Sequence, residues 1–387
     1  MFKKILVAGR GDVAVRVIQA CREINVPTVA VSSDVDRHAF HTNLACESYC
    51  IGPADIEKSY YNADAIIFTA LKCGADAIHP CYGPTAENTR LARLCRENGI
   101  TFIGAAPEVL DTLADSEAVF SIMKEAGVPL TRKLCSVPKQ IDVQIARDIS
   151  GNTVVIGDRD TSLCYKSRRL ICEAPAYGIS EKLRKKLWRS AIAAACALGF
   201  VGVGSVIFFV DTEEKYVFVK FMPRLQVGCS VTELQTRVDL IHWGIRIAAG
   251  QLITFGESSI CRIGHAIGGR VYAISPETFI PSPGKIDILH VPDGLDVHFY
   301  TPVYQGYTMP REYTPLIGTL VVYSRTRDRA IGKFRSAAAE LVTSGVHNNS
   351  EICSDVLTRE EFISGEYDID FFNKYAKEND IRLRKEE

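Results

Sequence analysis

No run of apolar residues in this 387-residue chain approaches the ~20 needed to cross a bilayer, which excludes a transmembrane helix. Neither sign of charge is in excess: 45 Lys+Arg against 46 Asp+Glu leave a formal net charge of −1. That balance removes the general pull on a phosphate backbone or an anionic membrane, so neither nucleic acid nor membrane is expected as a partner. The 13 cysteines are odd in number, scatter from Cys21 to Cys353 and form no C-x-x-C pair, and the opening MFKKILVAG runs into an apolar strand rather than a signal peptide. A reducing, cytoplasmic setting is expected. There is no G-x-S-x-G elbow and no Ser-His-Asp order for nucleophilic catalysis. Adjacent glycines occur once, at Gly268-Gly269. The eight histidines lack metal spacing; His38 and His41, three apart on a short polar helix, read as a solvated face.

What is present is a folding composition, 47% hydrophobic and 24% charged, long enough for two or three lobes. From Lys4 to Gly104 short apolar runs (ILVAG, PTVAVSS, AIHP, TFIG) alternate with helical patterns over Asp12 to Glu23, Asn62 to Lys72 and Glu87 to Asn98. That alternation predicts a parallel sheet. Helices at Pro107 to Leu113 and Ser116 to Ala126 follow, and Leu130 to Lys139 reads as a connector. Ile141 to Asp148 and Thr153 to Ile156, joined at Ser150-Gly151-Asn152, predict a hairpin; Ser180 to Leu198 a helix; Gly204 to Val210 and Tyr216 to Met222 two more strands. A β-rich part spans Ile263 to Tyr323, a helix covers Arg327 to Leu341, and the charged end KENDIRLRKEE reads as a frayed helix.

Gly9-Arg10-Gly11-Asp12-Val13-Ala14 follows the first strand and opens a helix, with Asp34 or Asp36 after the second strand. This is the placement of a dinucleotide-binding turn, but a lone G-x-G-x-x-A is also a tight strand-to-helix turn, and the structural reading is preferred. Asp158-Arg159-Asp160 offers paired carboxylates, yet the geometric demands of acid-base work make catalysis there the minority reading.

Read more widely, KILVAGRGDVAVRVIQACRE resembles the opening of biotin carboxylases, the ATP-grasp enzymes that carboxylate biotin in acyl-CoA and pyruvate carboxylases. AVSSDVDRHAFHTNLACESYCIG, KSYYNADAII, AIHPCYGPTAEN, ITFIGAAPEVL and MKEAGVP continue the family order. So do GDRDTSLCYKSRRLICEAPAYGIS, PRLQVGCSVTELQTRVDLI, RIAAGQ, GHAI, TFIPSPGKI, QGYTMPREYTPLIGTL and RDRAIGKF. The resemblance covers Met1 to Pro129 and Gln140 to about Val346. It implies an α/β and α+β fold with a Rossmann-like pre-ATP-grasp N-domain (1–115), a truncated ATP-grasp domain (116–262), a β-rich C-terminal lobe (263–347) and C-terminal helices with a charged tail (348–387).

The departures from the family pattern are specific. Between the counterparts of Pro129 and Gln140 the family carries a lid with a glycine-rich loop over the ATP phosphates; here LTRKLCSVPK stands there. The resemblance places the family's Mg²⁺ ligands at Ile207, Lys220 and Met222, none of them a carboxylate, and its phosphate-contacting lysine at Ser116. The glutamate that deprotonates bicarbonate falls at Gly228, a histidine at Cys229, the bicarbonate-holding lysine at Arg169, and a Tyr-Asp pair and a lysine at Tyr313-Thr314 and Thr319. Residues matching the family's bicarbonate and biotin pocket are Tyr82, Glu87, Arg224 (which stabilises the biotin enolate in the family), Gln226 and Arg270. On the helix through which family members dimerise, Arg16 and Glu23 share a face, while Gln19 departs from the usual arginine.

These losses, set against intact caps, turns and apolar patterns, lead to an expectation of a biotin-carboxylase-like pseudoenzyme. It would not bind Mg-ATP, would use no cofactor, and would act as a structural or regulatory subunit. It would form a homodimer, or a heterodimer with an active biotin carboxylase or another acyl-CoA carboxylase subunit. The alternatives are a bicarbonate, carboxylate or biotin sensor, an active ATP-dependent carboxylase, and an NAD enzyme using the Gly9 loop.

Overall fold

The computed structural model describes residues 1–130, 133–165 and 168–381. The first strands are β1 (Ile5–Val7), β2 (Thr28–Ser33), β3 (Glu47–Gly52), β4 (Ala77–His79) and β5 (Thr101–Phe102), ordered β3-β2-β1-β4-β5 and all parallel. The crossovers carry α1 (Gly11–Glu23), α2 (Phe40–Leu44), α3 (Ala63–Cys73) and α4 (Thr89–Glu97). Both faces are covered, so β1 and β2 are buried throughout, which is why they read as continuous apolar runs rather than alternating ones. Asn62 and Asn88 start α3 and α4 by accepting backbone N–H bonds from Ala65 and Leu91. Two further helices follow, α5 (Pro107–Ala114) and α6 (Ser116–Glu125).

The second half is organised by one antiparallel sheet. Its strands are β6 (Lys139–Arg147), β7 (Thr153–Asp160), then, beyond the short ribbon β8 (Cys164–Tyr165) and β9 (Arg168–Arg169), β10 (Ile171–Ala174), β11 (Gly202–Val210), β12 (Tyr216–Met222), β13 (His265–Tyr272), β15 (Val297–Tyr300) and β16 (Leu316–Ser324); β14 (Ile288–His290) and β17 (Val342–Ser344) pair apart from it. The order β12-β11-β6-β7-β10-β13-β16-β15 runs unbroken through the segments expected to form two lobes, because β10 pairs with β13. The expected hairpin is β6–β7, longer than its apolar alternation indicates because β7 continues through Asp158-Arg159-Asp160 to its end.

Helix α7 (Glu181–Ala197) packs a stripe of Leu183, Leu187, Ala191, Ala194 and Ala195 against β6, β7 and β11. Ser180 caps it through Leu183 N–H and is itself gripped by Glu214 through its N–H and hydroxyl, both at 2.7 Å. Helices α8 (Cys229–Thr236), α9 (Leu240–Ala248) and α10 (Arg327–Glu340) flank the sheet. The Gly268-Gly269 pair lies on β13, where a Cβ would meet Val231 of α8 at 2.6 Å and Phe334 of α10 at 2.4 Å. The pair exists so that helices can close on both faces of one strand. The chain ends in α11 (Ser350–Val356), α12 (Glu360–Ser364) and α13 (Phe371–Glu378). Of the expected frayed tail, 382–387 lie outside the described residues, as do Thr131 and Arg132 of the connector. Among the described residues no helix is long and apolar enough to cross a membrane.

Candidate functional site

The Gly9 turn starts the site. A Cβ on Gly9 would lie 2.6 Å from the Sγ and 2.7 Å from the Cβ of Cys81, so the glycine serves close backbone packing against the end of β4. The acidic partner a ribose would need is already taken: Asp36 is fully buried and receives Arg10 Nε at 2.6 Å and Nη2 at 3.0 Å, with the Tyr60 hydroxyl at 2.7 Å. Gly9→Ala should destabilise the protein by about 1–3 kcal/mol through overpacking. Cys81→Gly should recover much of that loss, since Cys81 itself sits at φ 62°, a conformation glycine adopts freely. Chemical denaturation of the single and double variants measures both.

Beyond the turn lies a cavity of about 650 Å³ between the parallel-sheet domain and the antiparallel sheet, with Arg10, Arg168, Arg169, Arg224 and Arg270 in its wall. The structure brings Tyr82, Arg169, Arg224, Gln226 and Arg270 to this one space, although they come from positions up to 188 residues apart in a chain of 387. Asp12, in the first turn of α1, accepts from the Tyr82 hydroxyl and, at 3.0 Å, from Thr319. Thr319, expected as an eroded family lysine, therefore ties β16 to the turn. Burial and the nearby Asp12 carboxylate push the Tyr82 phenol well above its ordinary pKa.

The arginines differ in what they have left to give. Arg224 donates from Nε to Glu87 at 2.7 Å and from Nη1 to Leu225 O at 3.2 Å. Arg169 is pinned by the fully buried Asp142 at 2.9 Å and by Val227 O at 2.8 Å. Arg270 lies with its guanidinium 5.3 Å from the Tyr272 ring centroid, and its buried Nε has no hydrogen-bond partner among the described residues. Burial works against its charge, but Tyr82, Tyr272 and Asp12 outweigh that and raise its pKa. Gln226 is buried and donates to Ser205 of β11, which holds it in place.

Ile207 and Lys220 face each other across β11–β12, and Met222 pairs with Ser205 two residues on. Lys220 Nζ lies 3.7 Å from Glu87, so one carboxylate serves both Lys220 and Arg224. Gly228 caps α8 at φ +91°, and a Cβ there would press on Cys172 Sγ at 3.0 Å with Arg159 Cδ at 3.8 Å. A side chain at this position would be strained and would start inside the packed sheet-helix interface. Cys229 is buried with its thiol pushed up to about 12, mainly by burial, as a structural rather than reactive cysteine would be.

Several expected roles are corrected. Arg16 does not share a free face with Glu23: it turns inward, 2.5 Å from Glu233 of α8 and 4.6 Å from the Tyr300 ring centroid, while Glu23 stays exposed at the end of α1. The pairing partner lies 217 residues away, which helical spacing cannot reveal. His41 is a core residue, not solvated; it contacts Val31 O at 3.1 Å, and burial lowers its pKa to about 4. Glu23, Asp239 and His242 come together as a group whose geometry could hold a metal, which no local spacing announced.

Asp158-Arg159-Asp160 does end a strand, β7, and all three residues are buried. Asp158 accepts from Arg184, Trp188 Nε1 at 2.9 Å and Ala176 N at 2.9 Å; Arg159 donates to Gln144, Thr232 and Asp142; Asp160 accepts from Ser162 and faces Lys139 at 3.5 Å. The triplet is a structural polar seam, linked to the cavity wall through Asp142, which Arg159 and Arg169 share.

Three family models match the chain. They are the biotin carboxylase N-terminal domain over residues 1–110, the ATP binding domain of the carbamoyl-phosphate synthase L chain over 103–255, and the biotin carboxylase C-terminal domain over 269–374. The Pseudomonas aeruginosa biotin carboxylase is 32% identical over 443 aligned positions, covering 97% of this chain and 98% of the relative. The alignment is longer than the chain, so part of the relative has no counterpart here. A Campylobacter jejuni biotin carboxylase solved as a βγ-ATP complex superposes with a TM-score of 0.94 at 30% identity, covering 97% of this chain and 99% of that one. The biotin carboxylase domain dimer of Hydrogenobacter thermophilus 2-oxoglutarate carboxylase, solved with MgADP, ADP and bicarbonate, gives 0.92 at 30% identity, covering 97% and 98%.

These matches overturn the expectation of a pseudoenzyme confined to a regulatory role and unable to bind Mg-ATP, and with it the lean away from an enzyme. The segment expected as a truncated ATP-grasp domain over 116–262 is matched by an ATP binding domain across 103–255, and the relatives matched nearly end to end are named as carboxylases. The departures in the lid segment and at single polar positions sit within a scaffold that is present throughout and that assembles the arginine-walled cavity.

Proposed function

Because the chain belongs to the biotin carboxylase family, we propose that it acts as an enzyme of biotin-dependent carboxylation. Its cavity is the place where a bicarbonate-derived carboxyl group meets the ureido ring of biotin. The observation that carries this reading is that five arginines, Arg10, Arg168, Arg169, Arg224 and Arg270, line one cavity together with Tyr82 and Gln226. Guanidinium is planar, stays charged, and matches a carboxylate or bicarbonate with two parallel donors. Arg224, held by Glu87, keeps a fixed positive charge where negative charge would develop on the ring oxygen during transfer. Gln226, immobilised by Ser205, would position the ligand with little loss of side-chain freedom.

Ile207, Lys220 and Met222 offer no oxygen ligand, and the ammonium of Lys220 stands where a divalent cation would need a carboxylate. That position does not fit Mg²⁺, and no step is routed through a metal there. Ile207 and Met222 line the same cavity as the carboxyl-handling residues, whose roles here are assigned without a metal. The chain divides as the resemblance implies, into 1–115, 116–262, 263–347 and 348–387. It works as a dimer of its own copies or beside another subunit of a biotin-dependent carboxylase. With Arg16 internal, an interface on α1 would use the exposed Gln19, Arg22 and Glu23.

Thermal unfolding with bicarbonate and free biotin tests the reading. A ligand at about 100 times its Kd stabilises the folded state by ~2.7 kcal/mol. The expected result is an upward shift with the two together; no shift at any concentration would refute it.

A further inference from the structure

Asp12 stands in the first turn of α1 and is buried at the cavity wall. Among the described residues its carboxylate accepts hydrogen bonds from neutral groups. Val13 N at 2.9 Å and the Tyr82 hydroxyl reach Oδ1, and the Thr319 hydroxyl reaches Oδ2 at 3.0 Å. Tyr82 is also hydrogen-bonded to Arg270. A phenol has one proton, and a carboxylate can only accept, so the Tyr82 proton goes to Asp12 and the Tyr82 oxygen accepts from the guanidinium. Arg270 and Thr319 are directly opposed across β13 and β16, which puts both side chains on one face of the sheet. Asp12, Tyr82, Arg270 and Thr319 therefore close a ring that joins α1, the turn after β4 and the antiparallel sheet. Asp12 carries the negative charge of this ring and Arg270 the positive one, with the phenol between them.

We infer that Asp12 is a positioning residue of the carboxylation site: through the Tyr82 phenol it aims the Arg270 guanidinium and offsets part of its charge, so that Arg270 meets an incoming anion without trapping it. This deepens the carboxylation reading and rests on it. In the sequence Asp12 is only a member of the Gly9 turn, and its partners Tyr82 and Thr319 lie 70 and 307 residues away. Asp12→Asn keeps the shape and an oxygen for Val13 N, but it removes the charge and adds an N–H donor that competes for the Tyr82 oxygen. Arg270 then loses its counter-charge, which tightens the ground-state hold on the anion, and loses its aim, which slows transfer.

Steady-state carboxylation of free biotin by the full-length protein, with ATP supplied and bicarbonate varied, tests the assignment alongside thermal unfolding of each variant. Asp12→Asn should lower kcat by about tenfold and lower the KM for bicarbonate as well, a pairing that a merely disturbed fold does not produce. Asp12→Glu restores the charge and should return KM to the wild-type value. Thr319→Val frees one oxygen of Asp12 without touching its charge, and should lower kcat with KM unchanged; it decides the matter if Asp12→Asn does not fold. Wild-type kcat in Asp12→Asn or in Thr319→Val overturns the inference, and so does a fall in kcat of Asp12→Asn with KM unchanged or raised. Each of these leaves the carboxylation reading intact. No carboxylation by the folded wild type sinks that reading and the inference with it.

Discussion

Glu173→Ala should destabilise the protein by roughly 3–5 kcal/mol, the cost of leaving a buried charge without its counter-ion. Glu173, on β10, is almost wholly buried and carries three partners: His265 at 2.6 Å, Arg327 Nε at 2.7 Å, and the Tyr367 hydroxyl at 2.5 Å. Arg327 goes on to the carbonyls of Phe362 and Ile363, so one carboxylate joins the central sheet, α10 and the C-terminal helices. Burial alone would raise its pKa; hydrogen bonding and charge from His265 and then Arg327 more than reverse that and bring it to about 2. A depressed carboxylate stabilises the fold above its unfolded value of 4.5, and that contribution is lost as pH falls through the native value of about 2. The loss amounts to about 3 kcal/mol for one such group. Urea denaturation at pH 7 and at stepped pH below 4.5 checks both parts. Glu173→Ala should show a lower midpoint at pH 7 and a flatter decline into acid. An unchanged midpoint would mean the hub carries no net stability.

The second large effect is expected at Asp142. This carboxylate is fully buried on β6 and balances two cations, Arg169 at 2.9 Å and Arg159 at 3.3 Å, while accepting from Thr161 at 3.0 Å. Asp142→Ala would leave Arg159, itself fully buried, without its anion. A cost of about 3–5 kcal/mol follows from breaking one side of a buried pair. Removing both partners together is a different matter, because an apolar pair of similar volume needs no compensation. Asp142→Leu with Arg159→Met should therefore be more stable than Asp142→Ala, and denaturant midpoints of the three proteins decide it. A double variant that is less stable than the single would show that Arg159 earns its place through Gln144 and Thr232 instead. Because Arg169 also loses its anchor, Asp142→Ala should weaken anion binding in the cavity as well.

Much of the scaffold was legible from local patterns. The βα alternation up to Gly104 became the parallel sheet, and Ser150-Gly151-Asn152 became the turn of the β6–β7 hairpin. What local patterns could not carry was burial imposed by distant partners. The burial of Asp158, Arg159 and Asp160 cannot be read from the charged triplet itself; it follows from Arg184 and Trp188 of α7 and Thr232 of α8, which satisfy them. Arg16 looks like a surface charge until Glu233 is placed against it. The cavity was partly legible: resemblance picked out Arg169, Arg224, Gln226 and Arg270, and all four line it. Which of them has unspent hydrogen-bonding capacity was not legible, because that depends on Asp142 and Glu87 reaching Arg169 and Arg224 from distant parts of the chain.

The most direct measurement is transfer of ¹⁴C between bicarbonate and the acid-labile carboxyl group of carboxybiotin, followed in both directions, the forward one with ATP supplied. Protein-dependent transfer that falls by about 10²–10³ in Arg224→Ala, as expected for loss of a charge aimed at the developing anion, is the predicted result. Transfer no faster than the protein-free background, by wild-type protein that is folded, would contradict the account.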